Sequence, residues 1–521
     1  MHNIAVTLCE RAQRHPHIIA VHEWHGGWLG GGYSTLTYGE LDRDSDDLAR
    51  GLCALGIGRG VRTVLMVPPG PDFFALAFGM AKAGVVPVLV DPGMGTANLR
   101  TCLAEAAPEA FVGVPRAHLA RALLGWGRAT IRSCVTVGGA GVFGGHTLDE
   151  VRALGRGTRG RALVDVGLDE TAAILFTSGS TGVPKGVVYT HGNFGEQVRS
   201  LRRISQLGPG EVNLATFPPF ALFDPALGMT TVVPPMDFAR PVTADPARLV
   251  DAIFRFGVTN LFCSPALLQV LTRWLVERDV RLPSVRRVIS AGAPVPRALV
   301  RKLATRLART AKILTPYGAT EALPVTIIAG DELPDDGICV GRPVPGVRVA
   351  IVETSDAPLT KVSPLPAGQV GEIVVHGEVV TRSYFQRRES TALAKIETPD
   401  GLWHRMGDLG LLDVEGRLWF YGRKTERVTL PDRTLYTVPT EALFDGIAGV
   451  RRAALVGVLR DGVMQPVVCI EGDADVSVLR AIGEPHGLAT FLFHPRFPVD
   501  TRHNAKVRRH ELARWATERL S

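Results

Sequence analysis

The chain has 521 residues, more than one hydrophobic core ordinarily supports, so at least two domains of unequal size are expected. Hydrophobic residues make up 46% and charged residues 21%, which places the chain among ordinary globular proteins and excludes a disordered or low-complexity one. The formal charge of +7 comes from 58 basic and 51 acidic residues, with the arginines scattered and RVRR-type clusters only near the C-terminus, so acidic small partners fit while nucleic acid is not indicated.

Taken in chain order, the opening MHNIAVTLCERAQRHPHI has too little apolar length for a secretion signal. The most apolar stretch, Phe73 to Val90, is broken by Lys82, Gly84 and Pro87, so no membrane span is expected. Short apolar runs then alternate with helix-like segments: RTVLMV, FFALAFGMAKAG and VVPVLV, and later VTNLFC, PALLQVLTRWLVE and VRRVIS. This rhythm predicts parallel strands with helical crossovers, a layered α/β fold. From about Gly368, GQVGEIVVHG and GRLWFYGR predict shorter strands and turns, a β-rich subdomain closing a large domain over 1–422. The polar segment GRKTERV marks a boundary near Arg423, and 423–521 read as a small, mobile α+β domain. The seven cysteines, Cys9, Cys53, Cys102, Cys134, Cys263, Cys339 and Cys469, are odd in number and include no CxxC pair, which argues for a reducing cytoplasm and against a disulfide framework or zinc knuckle.

The most informative segment is Ile174 to His191, ILFTSGSTGVPKGVVYTH, where an apolar strand enters a loop of glycines and hydroxyl residues ending in Lys185. Such a loop suits phosphate: glycines let backbone N–H groups approach an anion, Thr177, Ser178, Ser180 and Thr181 supply hydroxyl donors, Gly179 and Gly182 supply freedom, and Lys185 supplies charge. It is not a Walker A loop, because Gly186 follows the lysine and GVVYT reads as a strand instead of a helix. Further stations follow: SAGAPV (290–295), TPYGATEA (315–322), HRMGDLG with Asp408, FYGRK with Arg423 and TRHNAKVRR with Lys506.

The loop and the ordered stations together resemble the adenylate-forming superfamily of acyl-CoA synthetases, luciferases and peptide-synthetase adenylation domains. The resemblance implies ATP as co-substrate and Mg²⁺ as its companion ion. It places Gly292, Ala293 and Pro294 beside adenine and stacks Tyr317 on it, with Gly318 and Ala319 in the same motif. Thr320 hydrogen-bonds phosphate, Glu321 holds the metal, Asp408 and Arg423 take the ribose, and Lys185 and Lys506 meet the charge developed as carboxylate attacks the α-phosphorus.

Certain departures bear on which nucleophile finishes the reaction. The expected hinge aspartate is Thr425, the family's paired glycines are missing from GRKTERVTLPDRTLYTVP, and RHNAK replaces SGK before the final lysine. Ala221 occupies the position after PPF where an aromatic or histidine is usual. With TFPPFALFDPALGMT, FGVTNLFCSPAL and GRLWFYGRKTERV, these features resemble one subgroup, the olefin β-lactone synthetases of bacterial long-chain hydrocarbon biosynthesis. That resemblance implies a 2-alkyl-3-hydroxy (β-hydroxy) fatty acid substrate whose own hydroxyl attacks the activated carboxyl, and other enzymes of a hydrocarbon or β-lactone pathway as partners.

Two alternatives stay open: a long-chain fatty acyl-CoA ligase, which CoA dependence would reveal, and a non-catalytic adenylate-binding or scaffold protein, which silent pyrophosphate release would reveal. His191 titrates in the range of a general base, but its THGN context is shared by ordinary acyl-CoA ligases and favours a positional role, so the base stays unassigned. Phe220, Leu222 and Phe223 in the apolar segment 217–229 read equally well as an acyl pocket or as plain core.

Overall fold

The computed structural model describes residues 2–27, 30–139, 141, 144–160, 162–177, 184–499 and 507–520. Its N-terminal part is built on a seven-stranded sheet ordered His146–Thr147, Ser133–Thr136, Ala110–Gly113, Arg62–Met66, Val86–Leu89, Thr171–Phe176 and Gly186–Thr190. All neighbours are parallel except the last pair. The apolar runs form these strands because their β-branched residues, such as Val64, Val88 and Ile174, are buried between flanking helices. The helix Pro71–Ala83 starts with proline in its first turn, where no backbone donor is lost, and stops at Gly84, whose φ of 70° suits glycine.

A fourteen-stranded sheet follows. Its parallel centre runs Thr230–Val233, Val212–Ala215, Asn260–Cys263, Arg287–Ser290 and Lys312–Ala319. The helix Pro265–Glu277 crosses between two of these strands, with the Ser264 hydroxyl accepting from the Leu267 N–H at its start. Beyond Lys312–Ala319 the sheet turns antiparallel through Ala322–Ala329, Cys339–Pro343, Leu418–Arg423, Gly401–Leu412 and Gly371–His376. The predicted helices and strands are all present, and the β-rich character after Gly368 is that antiparallel half.

Parallel pairing, the sequence expectation for the first four hundred residues, gives way to antiparallel pairing at the end of the seven-stranded sheet and midway through the fourteen-stranded one. A parallel crossover needs a dozen or more residues. Only 177–185 separate Thr171–Phe176 from Gly186–Thr190, and only Thr320 and Glu321 separate Lys312–Ala319 from Ala322–Ala329, so both pairs reverse as hairpins.

The C-terminal part has its own antiparallel pair, Val450–Arg460 with Val463–Gly472, and a third strand, Thr490–Phe493, parallel to the latter. One face packs Phe444, Leu455, Ile470 and Leu479, and the other packs Val456, Val467, Phe497 and Leu512 from the helix Arg509–Leu520. Among the described residues, no helix is long and apolar enough to cross a membrane.

Candidate active site

Thr320 and Glu321 form the tip of the hairpin, with Ala319 and Ala322 paired across it. Gly318, just before the tip, is required by space: a Cβ there would lie 2.8 Å from the Ala322 carbonyl oxygen. The tip is pinned from two sides. The Tyr189 hydroxyl donates to the Thr320 carbonyl at 2.5 Å, while the Thr381 N–H and hydroxyl donate to the Glu321 carbonyl at 2.9 and 3.1 Å. Backbone is thus fixed by neighbours, leaving the Glu321 carboxylate to face Tyr384, whose hydroxyl donates to Oε1 at 2.7 Å.

Tyr384 reaches Glu321 because residues 383–385 run beside Gly186–Thr190: the Val188 N–H donates to the Ser383 carbonyl at 3.1 Å and the Phe385 N–H to the Gly186 carbonyl at 2.7 Å. The same contact brings in Lys185, whose ammonium lies 4.8 Å from the centre of the Tyr384 ring. Burial lowers the Lys185 pKa; Glu321 opposes that shift, while Arg387 and Arg423 add to it. Arg387 secures the C-terminal base of the glycine loop by donating to the Pro184 carbonyl at 3.2 Å, and is itself held by Glu105. At the other end, the Thr177 N–H donates to the Lys185 carbonyl at 3.1 Å, closing the loop's neck. Ser178, Gly179, Ser180, Thr181 and Gly182 lie outside the described residues, as does Lys506.

Asp408 and Arg423 are direct cross-strand partners on Gly401–Leu412 and Leu418–Arg423. Arg423 Nη1 donates to Asp408 Oδ1 at 2.6 Å, and the Tyr317 hydroxyl donates to Oδ2 at 2.6 Å. Asp408 is 4% exposed. Burial together with this carboxylate pushes the Tyr317 pKa well above its ordinary value, and Asp408 raises that of Arg423. Residues 91 positions apart in sequence thereby join one charged cluster. Gly292, Ala293 and Pro294 form the turn leaving Arg287–Ser290, with Gly292 at φ 96° and both Gly292 and Pro294 exposed. Thr425 is exposed in the single turn Lys424–Glu426.

Two site residues had no motif to announce them. Lys395, at 7% exposure, donates to the Thr381 carbonyl, the residue that also holds Glu321. Burial drives its pKa down to about 7, with Glu321 opposing. A lysine inside the apolar run ALAKI was the available signal, as was the tyrosine of SYF for Tyr384.

His191 settles into a positional role. It is 3% exposed, its Nδ1 accepts from the Ile4 N–H at 3.3 Å, and burial brings its pKa down to about 4. Phe220 and Phe223 join Phe262, Leu227 and Ile289 around a narrow pocket. Phe220 stacks on Phe262 at 4.1 Å between ring centres, and about 20 Å³ of free space remains, room for one water molecule. Leu222 points elsewhere, into the core beneath the N-terminal helices. The larger groove of about 420 Å³, between Glu23, Pro69 and Met236, contains none of the anticipated residues.

The arrangement places two cations, a carboxylate and a pinned hairpin tip beside a loop suited to phosphate, next to a buried Asp–Arg pair able to take hydroxyls. Among the described residues no three His, Cys, Asp or Glu side chains cluster as a metal site.

Comparison with known proteins gives the family and the fold. The AMP-binding enzyme family matches residues 8–385. A protein of Xanthomonas campestris pv. campestris described as an olefin beta-lactone synthetase is 49% identical, over 99% of this chain and 98% of its own. One of the same description from Stenotrophomonas maltophilia is 48% identical with the same coverage. Among solved structures, ATP-bound MatB from Rhodopseudomonas palustris shares the fold, with a TM-score of 0.82 over 100% of both chains at 21% identity.

Proposed function

The chain belongs to the family of AMP-binding enzymes, and from that premise we propose that it activates a 2-alkyl-3-hydroxy fatty acid as its acyl adenylate and closes it to a β-lactone. It is an ATP-dependent, AMP-forming ligase. The observation that carries the lactone reading is near-half identity along nearly the full length of two olefin beta-lactone synthetases.

In this reading the substrate carboxylate oxygen attacks the α-phosphorus and pyrophosphate leaves. Lys185, the loop 177–182, Thr320 and Lys506 hold the phosphate oxygens as charge accumulates on them. Asp408 and Arg423 take the ribose hydroxyls, with Tyr317, Gly292, Ala293 and Pro294 around adenine. The Glu321 carboxylate, held by Tyr384, would hold a hard divalent ion, and Mg²⁺ there would offset charge on the triphosphate.

The substrate's β-hydroxyl oxygen then bonds to the activated carbonyl carbon, the bond to the phosphate oxygen breaks, AMP departs, and the hydroxyl proton passes to solvent. The hydroxyl arrives tethered at high effective concentration, so the chemistry requires no second acceptor. With its proton lost by burial, His191 serves position and leaves the base unassigned. Alkyl chain enters between Phe220, Phe223 and Phe262. We place the division of the chain at 422/423, with Thr425 as the hinge, the reaction in the cytoplasm, and the other enzymes of a β-lactone or hydrocarbon pathway as partners.

The deciding experiment supplies Mg²⁺, ATP and a synthetic 2-alkyl-3-hydroxy acid, with and without CoA, and identifies products by NMR. A β-lactone with AMP in the absence of CoA is expected; an acyl-CoA formed only when CoA is present would overturn the reading.

A further inference from the structure

The helix Pro115–Leu124 lies on the outer face of the seven-stranded sheet. Its inner side is anchored: His118 is buried with Nε2 3.0 Å from the Val135 carbonyl oxygen, and Ala117 and Ala120 pack against the core under Leu103 and Trp126. Its outer side is unusual. Leu119 is 48% exposed, Leu123 77% and Leu124 39%. Arg116, Leu119 and Leu123 stand three and four residues apart, which aligns them along one helix face.

Charge completes the pattern. Residues 110–133 contain four arginines and no aspartate or glutamate. Arg121 turns inward over the Phe111 ring, while Arg116, Arg128 and Arg132 are exposed. None of those three forms an ion pair among the described residues, whereas Arg59 pairs with Glu170 and Arg382 with Asp169. Exposed leucines on a segment that carries arginines and no acidic residue match a surface that is apolar below and negatively charged above.

We propose that this face, Arg116, Leu119, Leu123, Leu124, Arg128 and Arg132, docks the protein on an anionic phospholipid bilayer. The arginines meet the headgroup phosphates and the leucines enter the interface between headgroups and acyl chains. Such attachment is peripheral and reversible, since a single short helix face with three leucines cannot match a membrane-spanning segment. A lipid surface is favoured over a protein partner by charge: residues 110–133 offer only cations, and the adjacent Glu109 is already paired with Arg62. The inference does not depend on the proposed lactone chemistry, because its test reads binding and not turnover.

The full-length protein is sedimented with vesicles of phosphatidylcholine alone or mixed with phosphatidylglycerol, at low and high salt. Wild type is expected to pellet with the anionic vesicles only and to be released by salt, which screens the arginine–phosphate attraction. Arg116→Glu/Arg128→Glu/Arg132→Glu lowers the bound fraction roughly tenfold or more. The single change Leu123→Ser, at a position so exposed that folding does not depend on it, lowers it roughly threefold. Melting midpoints of both variants within a degree or two of wild type show that the fold persists. Wild type remaining in the supernatant with anionic vesicles, equal binding to neutral vesicles, or undiminished binding by the variants would overturn the proposal. A change in self-association without a change in vesicle binding would do so too, assigning the face to a second copy of the chain.

Discussion

Two ionic clusters in this molecule look alike in composition and differ in what they leave open. In the C-terminal part, Arg509 donates to both oxygens of Glu441 at 2.8 Å and to Glu426 at 3.0 Å, and Glu441 also accepts the Leu455 N–H at 2.8 Å. Nearly every hydrogen-bonding position there is taken by groups that are part of the fold. In the large domain, Glu321 gives one oxygen to Tyr384, Lys185 rests on a ring face, and Arg423 and Tyr317 share Asp408. Those partners are ones that phosphate, a divalent ion or ribose hydroxyls can replace. Closed charge clusters serve stability; charge clusters with exchangeable partners serve ligands.

Substitutions can break this comparison. The largest effect is expected for Glu321→Gln, which removes charge at the hairpin tip while keeping its shape: adenylation, read as pyrophosphate release, drops by about 10³, or about 4 kcal/mol, with the melting midpoint nearly unchanged. Loss of stability without loss of rate would place Glu321 with the structural cluster. Arg509→Met does the reverse. It strands Glu441 and Glu426, and since Arg509 keeps 18% side-chain exposure, a cost of about 3 to 4 kcal/mol is expected in denaturant unfolding. An unchanged midpoint would refute the closed-cluster description.

A smaller effect sharpens the comparison through pH. His191 has a folded pKa of about 4, below the usual 6.5, so the unfolded chain binds more protons between those values. Its contribution to stability is complete above pH 6.5 and is lost as pH falls toward 4, at most about 3 kcal/mol. His404, whose pKa is also held far down by burial, contributes in the same direction, so the test is the difference between wild type and His191→Gln. The variant's stability profile is expected to be flatter between pH 4 and 6.5; parallel profiles would exclude this linkage. The smallest effect is Tyr317→Phe, which removes one hydrogen bond to Asp408 and raises the KM for ATP about fivefold, near 1 kcal/mol. No change in KM would mean that Tyr317 acts through its ring alone.

Legibility in the sequence followed the same line. Alternating apolar runs predicted the strands and helices of both sheets because periodicity is a local property. The glycine-rich loop was readable for a similar reason, since its residue types carry their chemistry without help from distant neighbours. Asp408 and Arg423 were visible only through the resemblance; as isolated charges they look like solvated loop residues, and the register that pairs them depends on how two strands align. Tyr384 and Lys395 escaped notice because their importance arises from residues 383–385 and Thr381 lying beside other strands. Leu222 was grouped with Phe220 and Phe223 by proximity in sequence, yet at successive positions of a short helical segment its side chain leaves on a different side.

In the proposed acyl pocket, the stacked rings of Phe220 and Phe262 would turn alkyl length into a threshold. An entering chain has to part them, giving up an aromatic contact of about 1 kcal/mol before its own methylenes, at about 0.8 kcal/mol each, begin to contribute. Binding energy plotted against carbon number will therefore extrapolate to zero one or two carbons beyond the origin. Calorimetry with a homologous series of acids tests this, and a line through the origin would mean that the rings part without resistance. The pocket would then act as a ruler whose scale starts after a blank margin, nearly indifferent to the shortest acids and graded only among longer ones.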